Sequence, residues 1–135
     1  MKTLWFIRGV SGAGKSTTAS ALAASLSDAV KVEADDFRVE DGKYVYHENK
    51  NFFVHKSCRD EVRRLMSCGV TNVIVSNTST TARDVRKYKG YAEDAGYRFM
   101  SLVVEKYHEN ENLHDVPEES LEKMETQLRN SLKFR

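Results

Sequence analysis

A phosphate-binding loop is the clearest chemical signal in this sequence. Residues 9 to 16 read Gly-Val-Ser-Gly-Ala-Gly-Lys-Ser and fit the pattern G-x-x-x-x-G-K-[ST]. The glycines let the backbone wrap closely around phosphate oxygens, which the loop N–H groups and the N-terminus of the next helix then face. Lys15 can reach the β- and γ-phosphates, and the hydroxyl of Ser16 can ligate Mg²⁺. The residues expected to hold ATP are Gly9, Ser11, Gly12, Ala13, Gly14, Lys15, Ser16 and Thr17.

Two adjacent carboxylates form a second candidate group. Asp35 and Asp36 precede Phe37 and Arg38, directly after a predicted strand. Phosphoryl transfer needs a carboxylate to accept the acceptor's proton and cations around the phosphoryl group, which makes Asp35 and Arg38 the candidate catalytic residues. We expect an extended chain that points the two carboxylates to different sides, one toward the γ-phosphate and one into local packing. The alternative is a turn that contains aspartates because aspartate suits turns.

Alternating strands and helices are predicted to position these residues. Apolar runs predict strands over Thr3–Arg8, Val30–Glu33, Asn72–Ser76 and Phe99–Val104. Helical spacing predicts helices over residues 15–26, 51–67, about 80–96, and from Pro117 onward. The pair Asp41-Gly42 predicts a hairpin turn. The order predicts one α/β domain over residues 1–135, a three-layer P-loop NTPase or kinase-like fold with a parallel sheet of about four strands. Ligands bind at the carboxyl ends of such strands, so the loop and the Asp35 segment should converge.

Composition and charge distribution limit the classes of protein to which this chain can belong. The formal net charge is +1, but residues 50–89 hold nine basic and three acidic side chains, whereas residues 105–125 hold two and eight. The basic region predicts a polyanion-binding face, and two solvated helix surfaces are the alternative. Two cysteines without a C-x-x-C motif favour a reducing cytoplasm, and four scattered histidines predict no metal cage. We expect no leader peptide, because a predicted strand begins directly after Met1-Lys2, and no membrane span, because no apolar run approaches ~20 residues.

In these motifs the sequence resembles the phage-type polynucleotide 5′-hydroxyl kinases and their AAA-like ATP-binding relatives. The resemblance rests on Gly9 to Thr17, on the quartet that begins at Asp35, and on Val73-Ile74-Val75-Ser76-Asn77-Thr78, and extends to Ala95-Gly96-Tyr97. It implies that Lys15 and Ser16 bind the ATP phosphates and Mg²⁺, and that Asp35 is the general base for a nucleic-acid 5′-hydroxyl. It further implies that Arg38 holds a substrate phosphate and that Thr78 lines the acceptor site.

Two features of that family are absent here. Its third strand commonly ends in an aspartate beside the threonine, whereas this chain has Ser76-Asn77-Thr78. Mg²⁺ would then rest on Ser16, the phosphates, water and Asp35. Relatives also carry a lid arginine shortly before a Val-Pro pair, but residues 109–115 before Val116-Pro117 contain acids and no arginine. Loss of such an arginine costs ~10³–10⁵ in rate unless Lys106, His114, a basic residue of the third helix or a partner supplies the charge.

Three functions therefore follow from the sequence. The first is an ATP-dependent kinase for the 5′-hydroxyl of a polynucleotide, which the basic region favours. The second is a P-loop kinase for a small molecule or nucleotide, whose mark is a compact polar pocket. The third is a nucleotide-binding regulatory protein with little turnover, which the two missing features favour. All three need ATP and Mg²⁺, and none needs a membrane.

Overall fold

The computed structural model describes residues 1–10, 12–78, 81–105 and 118–132. Its strands are β1 (Thr3–Arg8), β2 (Ala29–Glu33), β3 (Val39–Glu40), β4 (Lys43–Tyr44), β5 (Asn72–Asn77) and β6 (Arg98–Val103). Its helices are α1 (Lys15–Ser25), α2 (Asn51–Ser67), α3 (Ala82–Ala95) and α4 (Glu118–Leu132), with short 3-10 turns at Ala34–Phe37 and Glu48–Lys50. None of the helices described is both long and apolar enough to cross a bilayer.

Four of these strands form the parallel sheet that the sequence predicts. Their order is β2-β5-β1-β6, with β1 hydrogen-bonded to β5 on one side and to β6 on the other. The short strands β3 and β4 pair separately in an antiparallel hairpin. Its turn residues Asp41 and Gly42 have φ of 50° and 77°, the positive values that a hairpin of this kind requires.

The sheet is covered on both faces, which gives three layers. Leu4 and Phe6 of β1 pack into one core with α2 and α3, whereas Ile7 packs on the opposite face with α1. This alternation follows from the period of two along a strand. A smaller cluster joins Leu128 of α4 to Val10 in the phosphate loop. The α/β three-layer prediction is therefore confirmed.

Capping residues end the helices where the sequence predicts. Gly69 after α2 and Gly96 after α3 have φ of 81° and 74°, the left-handed conformation that glycine adopts without strain. The N–H of Val70 reaches back to the Leu65 carbonyl at 3.2 Å, which closes the last turn of α2. At the start of α3, the hydroxyl of Thr81 accepts the Asp84 N–H at 3.3 Å. In α4, Leu128 is buried as expected, and the predicted Pro117 start lies outside the described residues.

Candidate functional site

The phosphate loop joins β1 to α1 and leaves the start of that helix open. Gly12 and Gly14 have φ of 79° and 97°, so the loop uses left-handed conformations that other residues rarely adopt. The first turn of α1 contains no acidic residue, and no side chain caps its N-terminus. Its N–H groups are therefore available to an anion, and the helix dipole favours one there. Ser11 lies outside the described residues.

Gly9 is required by a close backbone approach. A Cβ built on Gly9 would lie 2.5 Å from the carbonyl oxygen of Val104, just after β6. That segment is held in place because the Val104 N–H donates to the Arg8 carbonyl at 2.8 Å. The first glycine of the motif thus fits the loop against the neighbouring strand.

Lys15 lies folded over the loop. Its Nζ donates to the Val10 carbonyl oxygen at 2.8 Å. Burial lowers the pKa of Lys15 to about 8, and the nearby carboxylates of Asp35 and Glu33 oppose that decrease. The lysine is therefore within electrostatic reach of the end of β2, which brings the two predicted groups into one site.

Asp35 and Arg38 share the 3-10 turn that follows β2. Arg38 Nε donates to Asp35 Oδ1 at 3.2 Å, and the Tyr44 hydroxyl donates to the same oxygen at 3.4 Å. The Asp35 side chain is 42% exposed, so a ligand can reach it, whereas that of Arg38 is 6% exposed. The arrangement suits a carboxylate that receives a proton beside a fixed cation.

The neighbouring Asp36 has a structural role. Its Oδ2 accepts the backbone N–H of Glu33 at 3.1 Å and so caps the 3-10 turn. The expectation of an extended chain was wrong, because the capping box folds these residues into a turn. Asp36 is thus the carboxylate of the pair that caps locally, as expected for one of the two. That the other, Asp35, faces the γ-phosphate stays a prediction.

Arg38 is held by neighbours on three segments. Its Nη2 donates to the side-chain oxygen of Asn51 at the start of α2, and its guanidinium lies 4.8 Å from the centre of the Tyr46 ring. Its Nη1 is buried and finds no hydrogen-bond partner in the described part of the chain. His55 lies nearby on α2, where burial first and then the charge of Arg38 lower its pKa. The site is therefore bordered by the neutral imidazole of His55 and by the Arg38 guanidinium, which has an unused hydrogen-bond donor.

Asn77, at the end of β5, holds the 3-10 turn Ala34–Phe37 in place. Its Oδ1 accepts the N–H of Ala34 at 2.7 Å, one residue before Asp35. Its Nδ2 donates to Cys58 Sγ at 3.4 Å and to the Tyr88 hydroxyl at 3.5 Å. Burial raises the pKa of the Cys58 thiol, which stays a neutral packing group. In the sequence, Asn77 stands out only as an amide in place of an acid, and nothing local indicates this role. Thr78 follows it and is half-buried.

Arg8 is a second residue that the sequence analysis missed. It ends β1 directly before the loop, is completely buried, and donates from Nη2 to the Ser131 hydroxyl of α4 at 2.8 Å. It thereby ties the last described helix to the base of the phosphate loop. A charged residue at the end of an apolar run, adjacent to a motif, is the only local signal of this role.

A recess of about 450 Å³ lies between the loop and α4, lined by Val10, Glu118, Leu121, Glu122, Glu125 and Thr126. Three carboxylates face this space, so like-charge repulsion disfavours a triphosphate there. The phosphates fit the open N-terminus of α1 instead.

The side chains present suit Mg²⁺. Ser16 offers a hydroxyl on the first turn of α1, and Asp35 offers a partly exposed carboxylate. Mg²⁺ is usually held by one or two such protein oxygens together with substrate phosphates and water. Within the described residues, no three histidine, cysteine, aspartate or glutamate side chains form a metal cage of their own. The proposed substitutes for the lid arginine, Lys106 and His114, lie outside the described residues.

A parallel sheet, a P-loop after its first strand and an acidic turn after its second define a P-loop kinase-like domain. The AAA domain model AAA_33 matches residues 4–130, and the chain belongs to this family. A chain of the Pnkp1/Rnl/Hen1 RNA repair complex has the same fold, with a TM-score of 0.78 and 22% identity. The match covers 99% of this chain and 46% of that one.

Two further solved structures share the fold. A second Pnkp1/Rnl/Hen1 complex matches with a TM-score of 0.65 and 24% identity, over 90% of this chain and 38% of that one. A mutant of the Mycobacterium tuberculosis APS kinase CysC matches with a TM-score of 0.54 and 18% identity, over 95% and 97%. The chain thus spans less than half of the Pnkp1-complex chains but nearly all of the APS kinase. At these identities the likeness establishes the fold of the domain.

Proposed function

We propose that this chain transfers the γ-phosphoryl group of ATP to a hydroxyl acceptor, the 5′-hydroxyl of a polynucleotide. The observation that carries the proposal is the single turn that bears both Asp35 and Arg38. Its carboxylate is bonded to the guanidinium at 3.2 Å, and it lies close enough to oppose the lowered pKa of Lys15. One reaction can thus use Asp35 as the base, Arg38 as the substrate-binding cation and Lys15 as the phosphate-binding lysine.

The transfer then follows from the chain's own groups. The loop N–H groups and Lys15 bind the β- and γ-phosphates, and Ser16 with Asp35 would hold Mg²⁺, which neutralises charge on the phosphates when bound. Arg38 binds an acceptor phosphate and so orients the attacking hydroxyl. As the acceptor oxygen bonds to the γ-phosphorus, the bond from that phosphorus to the ADP oxygen breaks. Asp35 takes the hydroxyl proton, a contribution of ~10²–10⁴-fold.

Two alternatives rest on specific observations. The chain covers 97% of the APS kinase structure that shares its fold, which favours a compact kinase for a small acceptor. The neutral Asn77 amide stands where a carboxylate would assist metal binding, and it is bonded to Ala34, which favours a nucleotide-binding protein with little turnover.

Label transfer separates the three candidates. The protein is incubated with γ-labelled ATP, Mg²⁺ and either a 5′-hydroxyl oligonucleotide, APS or a panel of metabolites. We expect label on the oligonucleotide, whereas label only on a small molecule supports the second candidate. ATP binding without any acceptor labelling supports the third.

A pair of variants tests the base. Asp35→Asn should lower transfer by ~10²-fold or more with near-normal ATP affinity, because it removes the proton acceptor. Asp36→Asn is the matched control and should keep most activity, since an amide oxygen can still accept the Glu33 N–H. Full activity of Asp35→Asn would remove this residue from the mechanism.

A further inference from the structure

Exposed aromatic side chains are concentrated beside the candidate site. Of the nine large apolar side chains exposed in the described part of the chain, six lie between residues 37 and 53. The most exposed of these are Phe52 and Phe53, at 67% and 65%. Both belong to the first turn of α2, whose buried residues begin at Val54. We define the aromatic surface as Tyr44, Tyr46, Phe52 and Phe53.

Hydrogen bonds and ring contacts place this surface around Arg38. The Tyr46 ring lies against the guanidinium at 4.8 Å, and the Tyr44 hydroxyl lies 3.4 Å from Asp35 Oδ1. Phe52 directly follows Asn51, whose side chain accepts from the same guanidinium. Tyr44 and Tyr46 therefore border the turn on which the proposed reaction takes place. Phe52 and Phe53, whose ring centroids lie 5.6 Å apart, belong to the first turn of the helix that holds Arg38 through Asn51.

Charge at this surface points to an anionic occupant. Arg38 is 7% exposed, and its Nη1 has no hydrogen-bond partner among the residues that the structure describes. A buried donor of this kind is left incomplete until an acceptor such as a phosphate oxygen reaches it. Exposed rings next to a cation form the combination that binds single strands, because bases stack on rings while Arg or Lys holds the backbone.

We propose that the aromatic surface binds the first unpaired nucleobases of a single-stranded polynucleotide while Arg38 holds a phosphate of the same strand. This inference rests on the proposed function and adds the form of its substrate. Stacking needs an accessible base face, and a duplex covers both faces of every base except the outer face of its terminal pairs. The surface therefore selects single strands or overhanging 5′ ends, with little dependence on which bases they carry.

Binding of 3′-fluorescein oligonucleotides tests the inference. The full chain is titrated with a single strand, with the same strand lacking bases at its first three 5′ nucleotides, and with a blunt duplex. We expect about tenfold weaker binding of the strand that lacks these bases, and weaker binding of the duplex. Phe52→Ala should weaken binding of the normal strand about tenfold, leave the strand without those bases unaffected, and leave ATP affinity unchanged.

Matched variants control for folding and hydrophobicity. Phe52→Trp keeps a stacking face and should retain wild-type binding. Met100→Ala removes an apolar side chain of 39% exposure from the edge strand β6 and should change nothing. The inference is overturned if Phe52→Ala binds the normal strand as tightly as the wild type does, or if it loses as much affinity for the strand without bases as for the normal strand. It is also overturned if the wild type binds the blunt duplex as tightly as the single strand. Sedimentation that shows a wild-type dimer converted to monomer by Phe52→Ala overturns it as well, because the surface then belongs to self-association.

The same experiment separates this inference from the proposed function. Base-dependent binding without label transfer supports the surface and rejects the kinase. Label transfer that is unchanged by Phe52→Ala and by the missing bases supports the proposed kinase activity and rejects base binding by the aromatic surface. A protein that neither binds nor labels the strands rejects both.

Discussion

At the scale of single residues, Lys15 combines two opposing effects. A lysine that binds phosphates must be charged when the ligand arrives, yet burial has lowered its pKa to about 8 in the structure without a ligand. Its hydrogen bond to the Val10 carbonyl gives the buried ammonium a polar partner in place of water. A bound triphosphate supplies the missing countercharge and raises the pKa again.

This coupling predicts a pH dependence of ATP binding. Below pH 8 the lysine is charged with and without ATP, so its contribution to affinity is constant. Above pH 8 only the complex retains the proton, so affinity falls by up to about tenfold per pH unit until the pKa of the complex is passed. Calorimetry at pH 7.5 and 9.5, in buffers of different ionisation enthalpy, should show weaker binding and proton uptake at the higher pH.

Two variants control that experiment. Lys15→Arg keeps a charge that does not titrate in this range, and its ATP affinity should depend little on pH. Lys15→Ala should bind ATP much more weakly at both pH values while its circular dichroism matches the wild type. Equal ATP affinity of Lys15→Ala and the wild type would contradict the assignment of the phosphate loop.

At the scale of elements, Asn77 connects β5 to the 3-10 turn that carries Asp35. Asn77→Ala leaves the Ala34 N–H buried without an acceptor, which should cost about 1–3 kcal/mol in the free energy of unfolding. Transfer should slow as the turn loosens, with unchanged ATP affinity. Asn77→Asp can still accept that N–H but buries a charge and loses the Nδ2 donor that faces Cys58 and Tyr88, so we expect lower stability and no gain in rate. Urea unfolding and label transfer measure both, and faster transfer by Asn77→Asp would show that β5 lacks a useful acid.

A pair of glycines gives opposite expectations for the same substitution. Gly9→Ala brings a Cβ within 2.5 Å of the Val104 carbonyl oxygen, so the loop or β6 must move. We expect a loss of about 1–3 kcal/mol in stability together with weaker ATP binding. Gly90→Ala, inside α3, meets nothing within 4 Å and should stabilise by about 0.5–1 kcal/mol. Thermal unfolding with and without ATP measures both, and a Gly9→Ala protein that melts and binds like the wild type would contradict the close approach.

The elements followed from the sequence because their signals are local. Gly69 and Gly96 end their helices through their own backbone conformation, and the spacing of Val54, Cys58 and Val62 alone defines the buried face of α2. The roles of Asn77 and Arg8 depend instead on partners 43 and 123 residues away along the chain. No local pattern specifies which backbone N–H or hydroxyl a polar side chain meets after folding.

At the scale of the whole molecule, basic and acidic side chains are concentrated on different helices. The basic region falls on α2, β5 and α3, and both helices pack on one face. Of the acidic region, residues 105–125, the structure describes Glu105 and four acids on α4, namely Glu118, Glu119, Glu122 and Glu125. This helix packs against Val10 of the phosphate loop. A polyanion is thus attracted to the layer that also carries Asn51 and the aromatic surface. The near-zero net charge conceals this division.

This separation of charge predicts which arginine side chains bind the phosphates of a polynucleotide. Arg64 is already neutralised by Glu61, with contacts of 2.6 and 2.9 Å, whereas Arg83 and Arg86 on α3 have no ion-pair partner within the described part of the chain. Arg83→Gln and Arg86→Gln should each weaken oligonucleotide binding and reduce the slope of log affinity against log salt by up to ~1, whereas Arg64→Gln should change both little. Titrations at several salt concentrations measure the slopes. Wild-type binding that ignores salt would mean that no phosphate backbone lies on this layer and would favour the small-acceptor candidate.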